Sequence, residues 1–129
     1  MPIQLRQDEE FYFKGRSYPE AYARINVVTF DRIEQICNIT LSIYESKKTF
    51  KIDFKKNILL NISKVCRNWY DDDNKLHSDY IKYFAKESLP KNSNGLTQAY
   101  IFFMDNTTET PDKYLFKLSQ WEFIFDGNE

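Results

Sequence analysis

Apolar and polar positions alternate with a period of two through the first half of the chain. Between Gln35 and Tyr44, the apolar residues Cys37, Ile39, Leu41 and Ile43 are separated by Asn38, Thr40 and Ser42. Successive side chains of a strand point to opposite faces, so this stretch predicts a strand with one core face and one polar face. Upstream, Ala23, Ile25 and Val27 alternate with Arg24 and Asn26; downstream, Phe50, Ile52 and Phe54 alternate with Thr49, Lys51, Asp53 and Lys55. The links Asp31-Arg32-Ile33-Glu34 and Glu45-Ser46-Lys47-Lys48 are short and polar. Short links favour an antiparallel meander, because parallel neighbours need a crossover of a dozen or more residues. Ile58, Leu60 and Ile62, set against Asn61 and Ser63, predict a further strand over 58–65.

The ends of the chain read differently. Residues 1–10 close on Gln7-Asp8-Glu9-Glu10 and read as a polar arm, and Asp126 to Glu129 as a frayed end. Phe11-Tyr12-Phe13 reads as a short strand stopped by Lys14-Gly15-Arg16. After Trp69 the period becomes helical: Leu76, Tyr80 and Phe84 share one side of a helix expected over about residues 75–89 and ended by Pro90. The loop Asp71-Asp72-Asp73-Asn74 supplies the acidic residues that suit a helix N-terminus. The short apolar run Ala99 to Met104 reads as a strand. Tyr114, Phe116 and Leu118 alternate, as do Trp121, Phe123 and Phe125; a bulge near Ser119-Gln120 would bring both sets onto one core. These elements predict a mainly β fold, an antiparallel β-sandwich or small barrel with one packed α-helix, in a single domain spanning 1–129 with polar terminal arms.

Composition narrows the function. The 129 residues include 11 Phe, 9 Tyr and 2 Trp, against 3 Gly and 4 Pro. That many rings favours sheet, and so few breakers argue against disorder. A net charge of −1 gives no bulk attraction to nucleic acid or to an anionic membrane. No apolar run reaches the length of a membrane span, and Met1-Pro2-Ile3-Gln4 lacks the basic and apolar run of a signal peptide. Cys37 and Cys66 have neither redox nor zinc spacing; a disulfide between them stays open.

The candidate sites are weak as chemistry. A calcium loop needs alternating carboxylates, a Gly at the turn and a distal Glu; Asp71 and Asp73 fit, but Lys75 takes the next ligand position and no Gly follows. His77 is the single histidine and has no adjacent nucleophile in a known arrangement. Glu9, Glu10 and Glu20 are not placed in a cleft by any pattern. Without a Gly-rich loop no nucleotide cofactor is expected. Lys47, Lys48, Lys51, Lys55 and Lys56 flank an aromatic stretch, as in an oligonucleotide-binding barrel, but Phe50, Ile52 and Phe54 share the parity of a core face. The triplets at Asn38, Asn61 and Asn106 match glycosylation acceptors without a secretory context. No catalytic, metal or cofactor-binding residue is assigned.

One resemblance bears on function. Ala21-Tyr22-Ala23-Arg24-Ile25 through Ser42-Ile43-Tyr44-Glu45-Ser46-Lys47 resembles small structural proteins of tailed bacteriophages. Such chains often open with a strand of the form A-Y-x-R-V/I and return with one ending I/V-Y-x-S/D-K; the segment Ser78 to Phe84 is similar to their Tyr-rich helix. The chain departs from that pattern after Pro90, where an aromatic section is added. The resemblance implies a non-enzymatic virion component of the tail, baseplate or neck. It would be made in the host cytoplasm, work without cofactors, and form a homo-oligomeric ring beside other virion proteins. The alternative reading is a small binding module for single-stranded nucleic acid or a host protein.

Overall fold

The computed structural model of the chain describes residues 2–85, 95–106 and 120–123. Eight strands and three helices occur among them. The strands are β1 (Ile3–Leu5), β2 (Phe11–Phe13), β3 (Arg16–Tyr18), β4 (Tyr22–Asp31), β5 (Ile36–Tyr44), β6 (Ile58–Tyr70), β7 (Leu76–Ser78) and β8 (Trp121–Phe123). The helices are α1 (Lys47–Ile52), α2 (Asp79–Phe84) and α3 (Leu96–Asn106). Six strands form one curled antiparallel sheet in the order β7-β6-β5-β4-β1-β8, a half-barrel, while β2 and β3 pair as a separate ribbon. The fold is therefore mainly β with helices packed on it, as the alternation implies.

The meander holds for β4, β5 and β6, but its third strand is Ile58–Tyr70 and not the stretch from Thr49 to Lys55. That stretch enters α1 instead. Ser46 caps the helix: its Oγ accepts the amide of Thr49 at 3.1 Å, and Thr49 Oγ1 accepts the amide of Ser46 at 3.0 Å. This reciprocal pair is a capping box with Thr in the place usually held by Glu or Gln. Phe50 and Phe54 are two strand steps apart but also four residues apart, so their rings meet on one side of a helical turn, 6.2 Å between centroids. Ile52 is then left 70% exposed.

Two bulges set which residues enter the core. In β4, Ile25 opposes Leu41 and Val27 opposes Thr40, so Asn26 is an extra residue. Parity flips there: Ala23 and Ile25 face the core before it, Val28 and Phe30 after it, and Val27 turns outward. In β6 the extra residue is Leu59, which puts Leu60 and Ile62 opposite Ile43 and Leu41 but Ile58 opposite Tyr44. Cys37, Ile39, Leu41 and Ile43 are fully buried on the core face, as their spacing requires. Each large aliphatic side chain so buried contributes roughly 1.5–3 kcal/mol.

Helices α2 and α3 pack on this face. Tyr83 joins them, its ring 5.2 Å from that of Phe102 and its hydroxyl donating to Asp105 Oδ2 at 2.8 Å. The run Ala99 to Met104 is helical, not extended. Leu96, Ala99, Tyr100 and Phe103 recur at helical spacing, and Phe102 and Met104 are buried as well, so the run is apolar nearly all round. Gly95 precedes α3 with φ of +85°, which favours glycine, and a Cβ there would lie 2.7 Å from the Phe30 ring, so that ring would have to move. The expected helix over 75–89 is shorter within the described residues: Leu76-His77-Ser78 pairs with β6, and the helix runs from Asp79 to Phe84.

The N-terminal segment is no arm. Ile3 is fully buried in β1, which lies between β4 and β8. Phe11 of the β2–β3 ribbon stacks edge-on to Trp121 at 6.0 Å. Lys14 and Gly15 both have positive φ, the geometry of a tight hairpin turn. Trp121 is buried and Glu122 exposed, as alternation predicts. Tyr114 to Ser119, Phe125 and the expected frayed end lie outside the described residues, as does Pro90.

A specific bond lies next to the bulge in β4. The buried amide of Ile25 donates to the Tyr100 hydroxyl at 2.8 Å. Tyr100→Phe keeps the ring and removes that acceptor. It is expected to lower the stability by about 1–3 kcal/mol, seen as a lower urea midpoint with an unchanged slope; an unchanged midpoint would contradict the role given to this bond.

Candidate interaction surfaces

The second face of the sheet carries cross-strand polar pairs in its middle, with Val27 and Val65 exposed beside them. Thr40 and Ser63 oppose each other with hydroxyls 3.0 Å apart, and Ser42 Oγ donates to Asn61 Oδ1 at 2.6 Å. These side chains satisfy one another across the strands. At the end where β5 leaves the sheet, α1 covers this face. Phe50 lies 5.3 Å from the Tyr22 ring and 5.1 Å from that of Tyr44, with the Arg24 guanidinium 4.8 Å above it. Tyr44 donates to the carbonyl of Phe54 at 2.7 Å and accepts from Asn26 Nδ2 at 2.9 Å. This small aromatic cluster fixes α1 and the turn after it. Beside it runs a shallow groove of about 320 Å³ between Phe54 and Lys55 on one side and Asn26, Ser42 and Asn61 on the other.

The lysines singled out in the sequence are brought together here. Lys48 and Lys51 are exposed on α1, and Lys55 and Lys56 on the following turn, where Asp53 Oδ1 accepts both of their backbone amides at 3.0 Å. They flank a helix rather than a strand. Phe50 is spent on the tyrosine cluster, whereas Ile52 and Phe54 remain largely exposed.

At the other end of β6 the triple aspartate forms the turn of the β6–β7 hairpin, not a helix cap. Asp71 Oδ1 accepts the amides of Asp73 and Lys75, each at 2.9 Å, and Asn74 takes a positive φ of 59°. Asp71 Oδ2 lies 2.8 Å from His77 Nε2. His77 sits on β7 opposite Trp69, not on a helix, and its ring stacks on the indole at 4.3 Å. Trp69 Nε1 in turn donates to Asp79 Oδ2 at 2.8 Å, tying the hairpin to the start of α2. Asp71 thus uses both oxygens on the turn. Among the described residues no group of three or more His, Cys, Asp or Glu side chains is placed to hold a metal ion. Glu9, Glu10 and Glu20 do not converge with it either; Glu9 accepts from Gln120 Nε2 at 2.8 Å and Glu10 accepts from the Tyr12 hydroxyl.

Around the hairpin several apolar side chains face solvent. Tyr70 is 68% exposed and Leu76, its neighbour across the strands, is half exposed. In the adjacent β4–β5 turn Ile33 is 92% exposed. There Asp31 Oδ1 accepts the amides of Ile33 and Glu34, which fixes the turn and points the Ile33 side chain away from the core. The sequence held one sign of this: Ile33 is an apolar residue inside an otherwise polar link.

Cys37 and Cys66 oppose each other on β5 and β6, both as free buried thiols. Burial pushes each thiol up to about 12, so neither is nucleophilic near neutrality. Among the described residues no helix is long and apolar enough to cross a membrane. No family model matches this chain, and no significant match to it exists among curated proteins or solved structures.

The bond from His77, helped by the amides of Lys75 and Asp73, holds the Asp71 carboxyl below the usual carboxylate range. Asp71 therefore supports the turn at every pH above its unfolded value of about 3.9 and loses that effect as the pH falls through its lower folded value. Asp71→Ala is expected to reduce amide protection at Asp73 and Lys75 at neutral pH. The gap from the parent protein should close in acid; a gap of equal size at both pH values would contradict the assignment.

Proposed function

We propose that this chain is a non-enzymatic structural component of a tailed-phage virion, present in several copies at the tail, baseplate or neck. The observation that carries this reading is the placement of exposed apolar residues. They include a group at each end of the sheet, Ile33, Tyr70 and Leu76 at one and Ile52 and Phe54 at the other, besides Val27 and Val65 on the second face between them. Between these ends the core face is sealed by α2 and α3, and the second face carries self-satisfied Ser, Thr and Asn pairs with the smaller side chains Val27 and Val65 beside them. Large apolar side chains grouped on a solvent face are what protein contacts use, Tyr and Trp above all. The resemblance to phage structural proteins supplies the particle. The residues that carry it, Ala21–Ile25 and Ser42–Lys47, form the paired start and end of β4 and β5 and the entry to α1.

The test is immunogold labelling of purified particles with an antibody against this chain. Regularly spaced label at one position on the particle is the expected result. Label absent from intact and from partly disassembled particles would contradict the proposal.

A further inference from the structure

The two ends that expose apolar side chains carry opposite charge. Beside Ile52 and Phe54 stand Lys48, Lys51, Lys55 and Lys56, all exposed; Glu45 and Asp53 are the acidic residues of that stretch, the first 3.8 Å from Arg16 and the second spent partly on its own turn. Beside Ile33, Tyr70 and Leu76 stand Asp31, Glu34, Asp71, Asp72 and Asp73, against Arg32, Arg67 and Lys75. Asp72 and Asp73 are exposed, and their carboxylates make no side-chain bond among the described residues.

These ends are held apart by β6. Its 13 residues run from the lysine-bearing turn to the aspartate turn, and at about 3.3 Å per residue they set the two some 40 Å apart. One molecule cannot bring its own ends together. Two lysine ends or two aspartate ends repel, which disfavours a two-fold pairing of like ends; a lysine end facing an aspartate end is attractive and places apolar residues against apolar residues.

We propose that the two ends are the halves of one heterologous interface, the aspartate end of one copy docking on the lysine end of the next. The occupant of each end is thus a second copy of this chain. Such contacts generate a ring if the rotation between copies closes and a filament if it does not. The proposal deepens the structural reading above and rests on it for the biological setting, but the contact itself is testable on the isolated chain.

The experiment is light scattering of the full chain over a concentration range, with and without nuclease, in low salt and at about 1 M salt, where the screening length falls to about 3 Å. Two variants are compared, K55E with K56E and D72K with D73K. All four positions are exposed, and circular dichroism reports whether each variant folds. The parent chain is expected to associate reversibly in low salt and to dissociate in high salt. Each variant alone should associate at least about tenfold more weakly, a change of about 1.4 kcal/mol. An equimolar mixture of the two variants should associate again, because each then presents the charge that the other lacks. A parent chain that stays monomeric throughout, a mixture that does not recover, or association that disappears with nuclease would each overturn the proposal, the last by placing nucleic acid on the lysines. Particle labelling is read separately: labelled particles with a monomeric parent chain would overturn this contact alone, and salt-sensitive association with unlabelled particles would overturn only the virion setting.

Discussion

The bond between the Ile25 amide and the Tyr100 hydroxyl is where the sheet and its covering helices become one structure. The pairing of β1 with β4 stops at Ala23, so the Ile25 amide, two residues on and directed to the same side of the strand, is a backbone group without a strand partner. Buried and unpaired, that group would cost about 1–3 kcal/mol. Here the helix that covers the strand supplies the acceptor. The bulge next to it flips the parity of β4, which is what allows Ile25 and Phe30 to face the same core although five residues separate them. Gly95 then lets α3 begin close against the Phe30 ring. The irregular point in β4 and the position of α3 are thus the same constraint seen from two elements.

Much of this was legible in the alternation. Cys37, Ile39, Leu41 and Ile43 define the core face of β5 because nothing interrupts their period. The same rule applied to Val27 fails, since one extra residue at Asn26 reverses every later side chain. Thr49 to Lys55 reads as a strand because Phe50 and Phe54 fit both periods; the cap formed by Ser46 and Thr49 decides between them, and Thr is a less familiar partner in that motif. Ala99 to Met104 misleads for a different reason: a short apolar run looks the same whether it is a buried strand or a buried helix. Ile3-Gln4-Leu5 was lost among polar neighbours, although three residues are enough when a partner lies on either side.

The surfaces were less legible than the core. The triple aspartate stands out in the sequence, but its role as a hairpin turn depends on β7, a three-residue strand without a pattern of its own. The lysines and the aspartates each lie within a few residues of an end of β6. Only the length of that strand shows that they occupy opposite ends of the molecule. Charge this close to balance hides its own polarity, since a net charge of −1 is compatible with an even scatter or with two opposed poles.

The β4–β5–β6 ladder and its junction with α3 should be the last part of the molecule to open. Native-state hydrogen exchange followed residue by residue tests this directly. The amide of Ile25 is expected to exchange together with those of Ile39, Leu41 and Ile43, at the rate of global unfolding, while the amides of α1 exchange earlier. Exchange of Ile25 at the rate of an exposed turn, ahead of the β5 amides, would contradict the claim that Tyr100 caps the Ile25 amide and joins helix to sheet.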